Sequence, residues 1–403
     1  MELFWLEHKK LWRKKIVKIC VLLCFVYCVI FGSILSFQWF SFGSSDDYTS
    51  AFGNNFDGYT VIKDSQEYAL SFGGELTDET LQQIVSDYQQ MEADGMEEEL
   101  EKTDWQIVNS WLGTLYPELR DTSNYKTMIS YVDPDKLTGF YERRQQVLDE
   151  FLEVSGQVGA EKEYLHQIDG KVEKPFHYEW VEGWSTLLGS MVADLGVVMA
   201  LFLGIVLSSL FAGEWHDNTS TLVLTTRNGW GKIALAKILT GLAFTVELFA
   251  LLAVSSVISQ LFFMGTAGWD MPIQNIKLIA VAPMNMLQAE IYEYAFVLLG
   301  AIGFAGIVMF ISAAVKNNVL TLLLSLAVVY GPMMIAEYLP YEMQKALDLI
   351  PLVGSSTDIF RTNTFRIFGK LIWSPYLLIT IPVLIGILCM PFAIKSWSRR
   401  MKA

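Results

Sequence analysis

Apolar residues gather into six long runs, at roughly 16–40, 186–211, 233–264, 291–315, 319–338 and 375–395, and charge returns between them. A bilayer core of about 30 Å takes about 20 apolar residues as a helix, so each run predicts one membrane-spanning helix. The first run follows basic residues as a signal peptide would, but it is too long for an h-region and no A-x-A-like cleavage site follows, so it reads as a retained span. Lysine and arginine mark one side of this arrangement: Lys9, Lys10, Arg13, Lys14, Lys15 and Lys18 before the first run, then Arg227, Lys232 and Lys237, then Lys316, then Lys395, Arg399, Arg400 and Lys402. The positive-inside rule makes that side, with both termini, cytoplasmic. Trp39, Trp180, Trp184, Trp269 and Trp373 fall near the opposite ends, where an aromatic belt belongs.

The polar stretches divide the remainder. Residues 1–15 place Phe4, Trp5, Leu11 and Trp12 among bases and predict an amphipathic helix on the inner surface, or a basic anchor that serves topology alone. Residues 41–185 are numerous enough for a small folded domain. Within it, 59–62 and 68–72 read as short strands ended by Gly73 and Gly74. Thr77 with Asp78 and Glu79 opens a helix carrying Leu81, Ile84, Val85, Tyr88 and Met91 at helical spacing. Further helices fit Trp105, Val108, Leu112 and Leu115, and Phe140, Val147, Leu148 and Phe151. A coupling segment at 212–232, outer loops at 265–290 and 339–374 (the latter a folded loop or re-entrant helices) and a cytoplasmic tail at 396–403 complete the division. The predicted fold is an all-α polytopic membrane protein, six transmembrane helices with a mainly helical α+β extracytoplasmic domain between the first two, in the plasma membrane.

Composition agrees: of 403 residues 52% are hydrophobic and 18% charged, and the mean hydropathy is +0.35. The net charge of −14 is unevenly placed, since 41–180 hold 29 acids and 10 bases and the rest of the chain 14 acids and 19 bases. An acidic chain with no concentrated basic face argues against nucleic-acid binding. Cys20, Cys24 and Cys28 share one helix face, as a thiol stripe for a soft metal or as small packing residues. The acid run Glu97 to Glu99 is a cation-collecting patch or a solvated face. No metalloprotease, nucleophile-elbow or phosphate-loop motif occurs, so no catalytic residue, cofactor or metal site is assigned to this chain.

The stretch after the second run, from Phe211 through Glu214, Thr219, Leu222 to Thr225, and Arg227 to Lys237, is a short polar segment joined tightly to two spans. It suits transmission of a docked partner's movement as helix tilt; the alternative is a turn that satisfies two helix ends, with Glu214 an interfacial charge. A glutamate closing span two, a threonine, an "LLT"-like helix, a basic turn and a lysine opening span three resemble the bacterial ABC-2-type transporter permeases. The resemblance extends to six spans, cytoplasmic termini and the surface helix. It implies ATPase coupling through Glu214, Thr219, Leu222, Thr225, Arg227 and Lys237. It also implies two copies of a separate ABC ATPase that would carry ATP and Mg, a second permease copy or paralogue, surrounding membrane lipid, and export. The large first outer loop is similar to permeases of sodium-export and peptide-antibiotic-resistance systems, so the implied substrate is cationic or amphipathic: a peptide antibiotic, a lipid-like molecule or sodium. A membrane-anchored signalling or assembly protein whose acidic domain binds a ligand is the alternative.

Acids inside spans are costly and mark functional candidates. Asp194 and Glu247 fall at nearly one depth by residue count, about 12 Å below the outer end and about 21 Å from the inner end. They line a transport pathway, with Glu290, Glu293 and Glu337 at its rim, or they pack protonated against hydroxyls such as Ser190 or Thr245.

Overall fold

The architecture comes from a computed structural model, which describes residues 2–30, 66, 73–95, 105–121, 126–188, 192–217, 219, 231–354 and 362–399. The expected strands at 59–62 and 68–72, the run Glu97 to Glu99, and Trp39 lie outside these residues.

Helix α1 (Glu2–Arg13) turns at Lys14 into α2 (Lys15–Val29), the described part of the first apolar run. Five described helices are long and apolar enough to cross a membrane. They are α8 (Val192–His216), α9 (Lys232–Met264), α10 (Met286–Val315), α11 (Asn318–Ile335) and α13 (Ser374–Arg399). The chain is therefore a helical protein of multi-pass membrane character. The bundle is centred on α10, whose buried face packs on α13 and α8, with α9 and α11 beside them. Its core mixes Leu203, Leu207, Phe211, Phe244, Phe304 and Met309 with Cys20, Cys24 and Cys28, all buried. The cysteines face inward and the Cys28 thiol donates to the Leu252 carbonyl at 3.6 Å, so the stripe packs against α9. Among the described residues no group of three histidine, cysteine or acidic side chains is placed to hold a metal.

Small residues set the closest crossing. Gly303 and Gly306 of α10 lie against Pro382 and Gly386 of α13, and a Cβ on Gly306 would stand 2.4 Å from the Gly386 carbonyl oxygen. Without side chains, the two backbones touch, which apolar packing in a bilayer rewards.

The first described strand of the inserted domain is β1 (Gly74–Leu76), which pairs antiparallel with β2 (Phe176–Tyr178). Between them lie α3 (Asp78–Ala93), α4 (Trp105–Leu115), α5 (Phe140–Val154) and α6 (Ala160–Asp169). Thr77 caps α3 by accepting from the Thr80 amide, as its position predicts. Leu81, Trp111, Leu112, Phe140 and Phe176 form the domain core, and Leu278 of the loop between α9 and α10 joins it. That loop holds the domain by polar contacts as well. The buried Arg144 guanidinium bonds both Asp169 oxygens, at 2.6 and 3.1 Å, and the Leu278 and Ala280 carbonyls at 2.7 and 3.0 Å. Trp111 donates to the Asn275 carbonyl, and Trp180 to that of Met264. The short helix α7 (Glu182–Thr186) is held by Trp184, which donates to the Ala267 carbonyl at 2.9 Å.

The stretch expected as an outer loop or re-entrant helices holds a single short helix, α12 (Tyr341–Leu347), and a β-hairpin among its described residues, β3 (Thr364–Ile367) and β4 (Lys370–Trp373). Phe368 and Gly369 make its two-residue turn with φ of 49° and 80°, the geometry of a type I′ turn. The hairpin touches the inserted domain through Thr364 on Gln157 and Arg366 on Glu161. The Arg366 hydrogen bond holds the Glu161 carboxyl below its usual range. The pair's contribution is thus present above the ordinary carboxylate pKa of about 4.3 and lost as the pH falls through the lowered native value. Because Arg366 is largely exposed, Glu161→Gln should cost less than about 1 kcal/mol in chemical denaturation at neutral pH.

Candidate functional site

The ends of α8 and α9 that carry the basic residues meet α1, and charge concentrates there. Glu214 is in the last turn of α8, where a carboxylate opposes the helix dipole. Its environment reverses that penalty. Lys237, in the second turn of α9 and 1% exposed, donates to Glu214 Oε1 at 2.8 Å and to Glu7 Oε2 of α1 at 2.7 Å. Lys10 of α1 donates to the same Glu214 oxygen, and the Thr219 hydroxyl to the other, while the Thr219 amide bonds the Glu214 carbonyl at 3.0 Å. Burial disfavours the Lys10 ammonium, but the Glu214 hydrogen bond and charge outweigh it and raise its pKa. Two carboxylates, two lysines and a hydroxyl thus join α1, α8, the start of the 214–231 segment and α9 in one buried knot.

No known protein family, characterised protein or solved structure matches this chain.

Among the residues that sequence picks out, the structure brings Glu214, Thr219 and Lys237 together. Leu222, Thr225 and Arg227 lie outside the described residues. Glu247 sits where α1 crosses α9: His8 Nε2 is 3.1 Å from Glu247 Oε1, and Trp12 Nε1 donates to Oε2 at 3.0 Å. Trp12 also packs edge-on to Phe244. Asp194 begins α8 at the opposite end, and its side chain lies outside the described set. Counted from the shared level of Glu214 and Lys237, Asp194 is about 30 Å along its helix and Glu247 about 15 Å. The near-equal depth inferred from residue count is not kept at this common level, because Glu214 lies three residues past the predicted inner end of its span and Lys237 four residues inside its own. Glu290 and Glu293 are buried inside the bundle rather than at a rim, Glu290 beside the Tyr294 hydroxyl, which bonds Ser256 at 2.8 Å. Glu337 is exposed beyond the end of α11.

Sequence reading missed Glu7, Lys10, His8 and Trp12 as members of the site. The signal was present in the amphipathic pattern of α1, whose polar face carries Glu7 and Lys10 one turn apart. What it lacked was the partner, 230 residues away along the chain.

Proposed function

We propose that this chain is the membrane subunit of an ATP-driven exporter, docking a separate ATPase on the 214–231 segment at the cytoplasmic side. The observation that carries the reading is the knot itself. A segment set between two spans transmits force only if its roots are rigid, and Glu214 and Lys237 fix both roots to each other and to α1 through four charge-assisted contacts. Movement of a docked partner would then tilt α8 and α9 as a unit, with α1 carried along. The resemblance of 211–237 to ABC-2-type permeases supports the same reading, in which a separate ATPase must supply the energy because the chain carries no phosphate-loop motif. On this reading the lysines and arginines at the knot end mark it as the cytoplasmic end, with the inserted domain outside. The substrate class this reading favours is cationic or amphipathic, from the acidic balance of that domain.

Purification of the tagged chain from its native membrane in mild detergent tests this. A stoichiometric ATPase with a phosphate loop should accompany it and hydrolyse ATP faster in the complex than alone. Thr219→Val removes one hydroxyl donor from Glu214 and should lower that coupled rate several-fold, about the size of a lost hydrogen bond to a charged group. If no ATPase is recovered under conditions that keep other membrane complexes intact, the exporter reading falls.

A further inference from the structure

Beside the knot lies an open cleft between α1, the α1–α2 junction, α8 and α9, about 310 Å³ with its mouth, lined among others by Lys10, Lys14, Ser209, Gly213, Glu214 and Lys237. Its charges are not equally satisfied. Glu214 and Glu7 are taken by Lys10, Lys237 and Thr219. The Lys14 ammonium instead has the Ser209 hydroxyl, at 2.8 Å, and among the described residues no carboxylate pairs with it. It stands so close to α8 that a Cβ on Gly213 would be 3.9 Å away. Burial, then the like charges of Lys237 and Lys10, push its pKa below the usual lysine range. An ammonium carries three donors, and Ser209 uses one. Asp217 also lines the cleft, and its charge and that of Glu214 act on Lys14 from a distance, without an ion pair among the described residues. The ammonium is therefore held in place, with no anion in direct contact, in a cleft open to the outside.

The surroundings say which anion. The junction is where a surface helix becomes a span, at the depth of lipid headgroups. Arg13, Lys15 and Lys18 are exposed around it, and Trp5, Leu6, Ile16 and Ile19 are exposed apolar side chains on the same two helices. A phosphate beside such cations is favoured electrostatically, and a headgroup bearing its own ammonium is not. We infer that this cleft seats the phosphate of an anionic phospholipid from the leaflet at the basic end, with Lys14 as its principal donor and Lys10 beside it. The bound lipid would compete mildly for Lys10 and so tune how firmly α1 holds Glu214. That this leaflet is the inner one rests on the proposed orientation; the binding itself does not, and it can be measured in detergent.

The purified full-length chain, exchanged into detergent micelles with phosphatidylglycerol and phosphatidylcholine in equal amounts, is washed and its retained lipid quantified by mass spectrometry. Wild type should retain phosphatidylglycerol preferentially. Lys14→Gln should weaken that retention about tenfold, the size of a lost charge-assisted contact. Lys15→Gln, which removes the same charge from the exposed collar, should change it little. Lys14→Arg keeps the charge and should keep the lipid, which separates loss of the site from loss of folding. Equal retention in Lys14→Gln and Lys15→Gln would make the binding a diffuse collar effect and overturn the inference, as would loss in Lys14→Arg. Inorganic phosphate alone should give no Lys14-dependent thermal stabilisation; if it matches phosphatidylglycerol, the site takes free phosphate and not lipid.

Discussion

Glu214→Ala should destabilise the purified chain by about 3 kcal/mol or more, because it strips the main anion from Lys237, which is only 1% exposed. Glu7 alone would be left to neutralise it. The desolvation cost of the lysine is already incurred in the fold, so what is lost is the compensation for it and not the worth of an isolated pair. Lys237→Met should cost less, since Glu214 retains Lys10 and Thr219. The double variant Glu214→Ala with Lys237→Met should recover most of the loss, as charge-to-apolar replacements of buried pairs do. A double-mutant cycle on thermal or denaturant unfolding in detergent reads this directly. Additive losses, with no recovery in the double variant, would mean that the two residues do not share an energetic unit. Stability and transmission should then separate: the double variant folds, yet its 214–231 segment is no longer tied to α9, so an ATPase activity coupled through it would stay low.

Periodicity and hydropathy made the helical, membrane-spanning character legible, and the caps of single helices with it, Thr77 being the clearest. Helix ends within apolar runs were not. The helix expected from 291 starts at Met286, because Asn285 and Gln288 form a reciprocal capping box that extends it over polar residues a hydropathy window rejects. The run expected to begin a span at 186 has an anchor that hydropathy does not show: α7 is pinned by the Trp184 indole to the loop after α9, and the described part of the spanning helix α8 is Val192–His216. Nothing in the apolar sequence around Leu187 and Leu188 shows that anchor, since its acceptor is 83 positions away. The β3–β4 hairpin did leave a local trace, since Thr364 to Ile367 alternate polar and apolar ahead of the Phe368–Gly369 turn. Four-residue strands are too short for periodicity to separate them from loop. At the candidate site the type of Glu214, Thr219 and Lys237 was legible from their order, whereas α1 as their partner was not, because amphipathicity gives a helix a face without naming what the face meets.

The glycine crossing of α10 and α13 yields the other large effect. At Gly303 an added Cβ would lie 2.3 Å from the Pro382 carbonyl oxygen, and at Gly386 it would lie 2.5 Å from the Gly303 Cα. Both obstacles are backbone, which cannot swing aside as a flexible side chain does, so one helix must move away along the tightest contact in the bundle. Gly303→Ala should cost about 1–3 kcal/mol, the range for overpacking a close contact, and Gly303→Val more. Gly331→Ala is the matched control: it lies inside α11 with nothing within 4 Å of the new methyl. There, relief of glycine's backbone entropy should leave stability unchanged or raised by up to about 1 kcal/mol. Fluorescence-detected size exclusion and thermal unfolding of the three variants measure both signs. A neutral Gly303→Val would show that α10 and α13 slide past one another freely. In that case the crossing could not serve as the rigid half that the proposed tilt of α8 and α9 requires.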